Sequence, residues 1–195
     1  MPQRCNVPLD LTLGMEFYGL DTPGTGGFLR RRLEDFVVRE VSIDGSVASP
    51  LCTSDSGSGD YTWLVLEKRK VDTLTAIKAV ERFFGLRRGS VGIAGLKDTA
   101  AITYQFISLQ ADITPEKLEE FNSRHSRVKL HCPMKRPFRL RPGLLLGNRF
   151  EVVIRGASNS EAVFEAIRAL NEAGGVPNYY GYQRFGSIRP VTHLV

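Results

Sequence analysis

The sequence predicts one domain of the α/β class, and two observations carry that prediction. Short stretches in which apolar and polar residues alternate with period two take turns with stretches whose apolar residues recur every three or four positions, the marks of strands and helices. A chain of 195 residues, 42% of them hydrophobic, supplies one sizeable core more readily than two small ones.

The elements follow in order. Asp21-Thr22-Pro23-Gly24-Thr25-Gly26-Gly27 is a turn; it precedes no Gly-Lys-Ser/Thr and does not satisfy the dinucleotide fingerprint, so it is no phosphate loop. A strand is expected within Phe28 to Glu40, with Phe36, Val38 and Glu40 on one face and Asp35, Val37 and Arg39 on the other. Residues 42–60, rich in Ser, Gly and Asp, form an exposed loop, and Tyr61 to Glu67 a strand dense in aromatic and β-branched residues. Asp72 or Thr73 caps a helix whose stripe is Leu74, Ile77, Val80 and Phe84, with Gly85 as its stop.

Val91 to Leu96 reads as a short buried strand paired as a hairpin with Ile102 to Leu109, which places Asp98 at the bend. Thr114-Pro115 opens a helix with Leu118 and Phe121 inward; Arg127 to Cys132 and Asn148 to Arg155 read as strands. Ser158-Asn159-Ser160-Glu161 has the capping-box spacing before a helix with Val163, Ile167 and Leu170 inward, ended by Gly174-Gly175.

Composition narrows the function. The net charge of +5 favours an anionic partner, with a merely solvated basic surface as the alternative. No apolar run approaches the ~20 residues of a membrane helix and no signal peptide opens the chain, so a soluble, cytoplasmic protein is expected. Cys5, Cys52 and Cys132 are odd in number and far apart, which suggests neither a disulfide framework nor, with His125, His131 and His193, a zinc site. No triad or metalloprotease motif is present.

The stretch richest in chemistry is Gly95-Leu96-Lys97-Asp98-Thr99-Ala100-Ala101-Ile102-Thr103-Tyr104-Gln105. Glycines permit close backbone approach, and Ala100 and Ala101 leave room beside the Asp98 carboxylate. A lone Lys-Asp step is ordinarily a surface pair worth ~0–1 kcal/mol, and its setting at a strand end is what makes Asp98 a candidate acid. Lys135, Arg136, Arg139 and Arg141 interleave with Pro137, Phe138, Leu140 and Pro142, a pattern that suits nucleic-acid backbone contact. Between Val176 and Gly186, aromatics mix with Asn178, Gln183 and Arg184. Such a run either tucks tyrosines onto the core or walls a planar ligand such as a nucleobase.

Four motifs in this order, Arg32 to Glu40, Gly95 to Gln105, Leu146-Gly147-Asn148-Arg149-Phe150 and Asn178 to Gly186, resemble those of the tRNA pseudouridine synthase D family. The resemblance implies isomerisation of a uridine, typically uridine 13 of tRNA, with tRNA as partner and without metal, organic cofactor or membrane. It implies a mixed, largely antiparallel sheet flanked by helices. Asp98 matches the catalytic aspartate, Phe150 the active-site aromatic and Asn148 the polar position beside it. Arg30 falls on a basic position, ambiguous by one place with Arg31 and Arg32, and would hold Asp98 ionised; Arg31 and Arg32 are otherwise phosphate-binding or solvated. Lys97, Gln105, Gln183 and Arg184 match positions that shape the site, by direct contact or by support, and Asn178 joins the substrate-binding set. Family members are normally longer, so residues 1–195 are expected to form the N-terminal part of a catalytic domain, without the inserted domain and the C-terminal part. The rival expectation is an RNA-binding fragment without activity.

Overall fold

The computed structural model describes residues 3–52 and 57–176. Its elements are α1 (Pro8–Thr12), a 3₁₀ turn (Leu33–Asp35), β1 (Phe36–Ser42), β2 (Tyr61–Arg69), α2 (Thr73–Phe83), β3 (Gly92–Ile93), β4 (Ile102–Leu109), α3 (Pro115–Arg124), β5 (Val128–Arg136), β6 (Leu145–Val152) and α4 (Ala162–Glu172). The chain divides into two compact units, one of Met1–Gly27 with Gly156–Val195 and the other Phe28–Arg155. No helix among the described residues is long and apolar enough to cross a membrane.

The unit Phe28–Arg155 is built on one mixed sheet in the order β5-β2-β4-β1-β6, with β3 pairing beside β1 on β4. Only the β1–β4 pair is parallel among these strands; the others run antiparallel, as expected from the sequence. Because side chains alternate across a strand, register assigns the two faces. On β2, Leu64, Leu66 and Lys68 share one face, opposite Ile107, Gln105 and Thr103 of β4. The same face continues through Val38 on β1, opposite Thr103, to Phe150 on β6, opposite Val38.

Helices α2 and α3 cover the apolar part of this face. Leu64, Leu66, Ile107, Leu109 and Leu130 pack there against Ile77, Val80 and Phe121, all buried. Asp72 caps α2 by accepting from the Thr75 N–H at 2.9 Å, and Thr114 caps α3 by accepting from Lys117. Gly85 at φ 64° follows the last turn of α2. Leu74, expected in the buried stripe, is instead 54% exposed, because Thr73, Ala76, Ile77, Val80 and Glu81 form the inward side.

The opposite face carries a second cluster of Trp63, Val65, Phe106, Cys132 and Leu140. It includes a correction to the cysteine reading: Cys52 and Cys132 form a disulfide, with Cα atoms 5.1 Å apart, and Cys5 is the free cysteine of the three. Their separation of 80 residues hides a proximity that arises when β5 runs back under the 43–52 segment.

The expected hairpin also differs in form. Only Gly92 and Ile93 pair with β4, and residues 94–101 make a longer link that carries Asp98. A side chain at Gly92 would meet the Leu140 carbonyl and the Ser108 hydroxyl, each at 2.4 Å, so the backbone sits too close for any larger residue. In the other unit, the N–H groups of Ser158 and Asn159 donate to the Thr25 carbonyl at 3.1 Å. The cap of α4 comes from Asn159, whose side chain accepts from Ala162, rather than from Ser158.

Candidate active site

Asp98 sits in the 94–101 link with its side chain 30% exposed, and the link is tied down from below by groups on the helix-bearing face. Thr73, the first residue of α2, accepts from the Lys97 N–H at 3.1 Å, and its hydroxyl lies 3.4 Å from the Lys97 carbonyl and 3.3 Å from Gln105 Oε1. Gln105, wholly buried, donates to the Gly95 carbonyl at 3.2 Å. Lys68, also wholly buried, donates to the carbonyls of both Lys97 and Asp98. Buried polar groups are costly unless bonded, and here they are bonded to one short loop.

Lys97 turns inward. Its ammonium lies 2.6 Å from Glu40 Oε2, with both side chains almost fully buried. Glu40 also accepts from the Phe106 N–H, and burial raises its carboxyl above the usual range, with Lys97 pulling it partly back. Lys97 and Gln105 thus stand beneath the loop as supports. Burial lowers Lys68 to about 8, while Asp98 and Asp72 favour its charge.

Arg30 reaches the loop from the other side. It occupies left-handed backbone space at φ 55°, where a non-glycine residue is uncommon and strained. Its guanidinium lies 3.8 Å from the Phe36 ring centre and 3.9 Å from Asp98 Oδ1. Phe36 in turn lies 5.9 Å from Phe150, tilted at 51°. Phe150 is 54% exposed, and Asn148, two residues before it on the same face of β6, is exposed opposite Glu40. The arrangement is a carboxylate beside a cation, with an open aromatic platform near by. The 3₁₀ turn before β1 is held by Asp35, which is buried and accepts from Arg155 Nε at 2.8 Å and from the Arg32 N–H at 2.9 Å; the Arg155 guanidinium holds its carboxyl below the usual range.

The remaining sequence candidates lie elsewhere. The Arg31 guanidinium rests 4.2 Å from the Phe28 ring, and Arg32 takes the N-terminal end of the 3₁₀ turn. Lys135 pairs with Asp112 at 2.7 Å, Arg136 lies over Trp63, and Arg139 donates to the Gly89 carbonyl. Arg139 and Arg141, with Tyr61, Phe138 and Leu144, line an open groove of about 570 Å³. Phe138 packs edge-on to Trp63, on the sheet face away from Lys68, and Arg136, opposite Tyr61, shares that face, whereas Lys135, opposite Thr62, lies on the helix-bearing face at the end of β2 away from Lys68. Asn178, Gln183 and Arg184 lie outside the described residues. Among the described residues no group of three or more His, Cys, Asp and Glu could hold a metal ion.

Sequence reading passed over Lys68 and gave Thr73 no role beyond a helix cap. A signal for Lys68 was present: period-two counting from Leu64 and Leu66 puts a lysine on an otherwise apolar face.

The fold matches that of a known class of enzyme. A crystal structure named as a tRNA pseudouridine synthase D, from Methanosarcina mazei, superposes with a TM-score of 0.77 at 32% identity, covering 97% of this chain and 42% of its own. The family model for tRNA pseudouridine synthase D matches residues 12–195, and the chain belongs to that family. Among curated relatives, the protein named "Probable tRNA pseudouridine synthase D" of Pyrobaculum neutrophilum is 39% identical over 192 residues, which is 96% of this chain and 44% of the relative. The one so named from Thermococcus onnurineus is 37% identical over 91% of this chain and 40% of its own length. The chain therefore spans less than half the length of these relatives.

Proposed function

We propose that this chain is the Asp98-bearing, N-terminal part of the catalytic domain of an RNA pseudouridine synthase that isomerises a uridine of tRNA, uridine 13 by family resemblance, in the cytoplasm. The observation that carries the reading is the convergence of three separated sequence motifs: Arg30 from before β1, Asp98 from the 94–101 link and Phe150 from β6 meet through Phe36.

The reaction breaks the bond from N1 of uracil to the ribose, turns the base and rejoins it through C5, with loss of the C5 proton. A carboxylate at Asp98 starts cleavage by attack on the sugar or by assisting proton removal. A base must leave its stack to be reached, at a cost of a few kcal/mol, and an exposed aromatic beside the carboxylate offsets that cost by stacking. Phe150 takes this role and Asn148 the edge of the base, with Asn178, Gln183 and Arg184 completing the substrate-binding set. Arg30 keeps positive charge beside the carboxylate. Lys97 and Gln105 act by holding the loop. Arg31, Arg32, Lys135, Arg136, Arg139 and Arg141 serve RNA phosphates, the last three from the second face.

The test uses the full-length protein that contains this chain, incubated with a tRNA transcript bearing uridine 13. Pseudouridine is expected from the wild type and none from Asp98→Asn, with tRNA affinity retained by both. Product from Asp98→Asn would overturn the role of Asp98, and absence of both product and tRNA binding in the wild type would overturn the reading as a whole.

A further inference from the structure

The cluster beneath Asp98 contains a cation that the reaction as outlined does not use. Lys68 sits on β2 where Leu64 and Leu66 lead, on a face whose two preceding residues are wholly buried leucines, and none of its surface reaches solvent. Across the sheet its register partners are Thr103 on β4 and Val128 on β5, neither of which offers it a charge. The charged groups facing it are Asp98 and Asp72, which favour the ammonium, and Lys97, which opposes it. A leucine here would extend the core; a buried ammonium lowers stability unless its bonds bring something else.

Those bonds go to two consecutive carbonyls, of Lys97 at 3.2 Å and of Asp98. Carbonyls of neighbouring residues in extended chain point to opposite sides. One ammonium reaches both only where the backbone turns, and the turn it selects sends the Asp98 side chain outward toward Arg30.

We infer that Lys68 is a positioning residue: its ammonium gathers the Lys97 and Asp98 carbonyls and so sets the direction and the surrounding charge of the Asp98 carboxylate. This rests on the reading of Asp98 as the reacting group. Lys68 touches no substrate and acts through the loop alone.

The test is single-turnover pseudouridine formation by the full-length protein carrying Lys68→Met or Lys68→Arg, with tRNA affinity and thermal midpoint measured on each variant. Lys68→Met is expected to lower the rate by ~100-fold, the scale of an ångström's misplacement of a catalytic group, with tRNA affinity unchanged. The wild-type rate is expected to fall above about pH 8 as the ammonium loses its proton. In Lys68→Arg that alkaline fall should move up or vanish, because a guanidinium does not deprotonate in this range. A merely structural lysine would not move the limb.

A wild-type rate in folded Lys68→Met overturns the inference, as does an unmoved limb in Lys68→Arg, which decides the matter if Lys68→Met fails to fold. Should Asp98→Asn stay active, the underlying reading has failed. Should it be inactive while the Lys68 variants behave as wild type, this inference alone has failed.

Discussion

Strands β2 and β4 change character along their own length, and the two ends of their helix-bearing face do different work. At one end Leu64 and Leu66 on β2 and Ile107 and Leu109 on β4 are buried against α2 and α3. At the other end the same strands present Lys68, Gln105 and Thr103, equally buried. Burial is alike; only the chemistry differs. The apolar end gains free energy from area removed from water, roughly 25 cal/mol per Å². The polar end gains little net stability from its bonds, since each replaces a bond to water. What the polar end provides is direction: Lys68 and Gln105, joined by Thr73 of α2, converge on the backbone of one link, 94–101, while the Thr103 hydroxyl takes no part. An apolar end and a bonded polar end on one sheet together hold a half-buried carboxylate on a fixed scaffold.

Substitutions should break this comparison in opposite ways. The largest stability loss is expected at the apolar end: Phe121→Ala, at a wholly buried site, should cost about 4 kcal/mol in chemical denaturation while leaving pseudouridine formation per folded molecule unchanged. Next is the Glu40–Lys97 pair, buried on both sides. Glu40→Gln alone strands an ammonium and should cost about 3 kcal/mol, whereas Glu40→Leu with Lys97→Met should restore stability without restoring activity. Restored activity in the double variant would show that the pair holds nothing in place for the reaction.

The smallest effect should come from Asp35. Its native carboxyl titrates below the ordinary aspartate range, chiefly through Arg155, so its contribution is present above about pH 4 and is lost as pH falls through the lower native value. Asp35→Asn is expected to flatten the acid side of a stability profile between about pH 2 and 5 and to leave neutral-pH activity in place. An unchanged acid limb would remove Asp35 from that account.

The two ends also differ in how far they could be read in advance. The alternation of Phe36, Val38 and Glu40 foretold a strand whose alternate residues share a face, and Val38 and Glu40 are buried there. Asp72 and Thr114 were legible as caps because capping is a local hydrogen bond within three residues. Lys68 was passed over because a lysine beside Arg69 and Lys70 reads as a solvated run, and only the pairing of β2 between β4 and β5 buries it. The disulfide was illegible for a related reason: nothing local to Cys52 or Cys132 reports a partner 80 residues away.

The sequence by itself determined the class of fold, the starts of α2 and α3, the family through its ordered motifs, and Asp98 as the carboxylate to watch. These follow from local propensity, period and motif, which act over a few residues. Tertiary structure singled out Arg30 from Arg31 and Arg32 as the arginine beside Asp98, and it alone decided that Lys97 turns inward to Glu40 and that Lys68 lies beneath the loop. It also decided that the 136–140 part of the basic segment packs on the second face of the sheet while Lys135 lies on the first. Each of these depends on strand register, which sets whether a side chain meets solvent or core, and register is a property of pairs of strands.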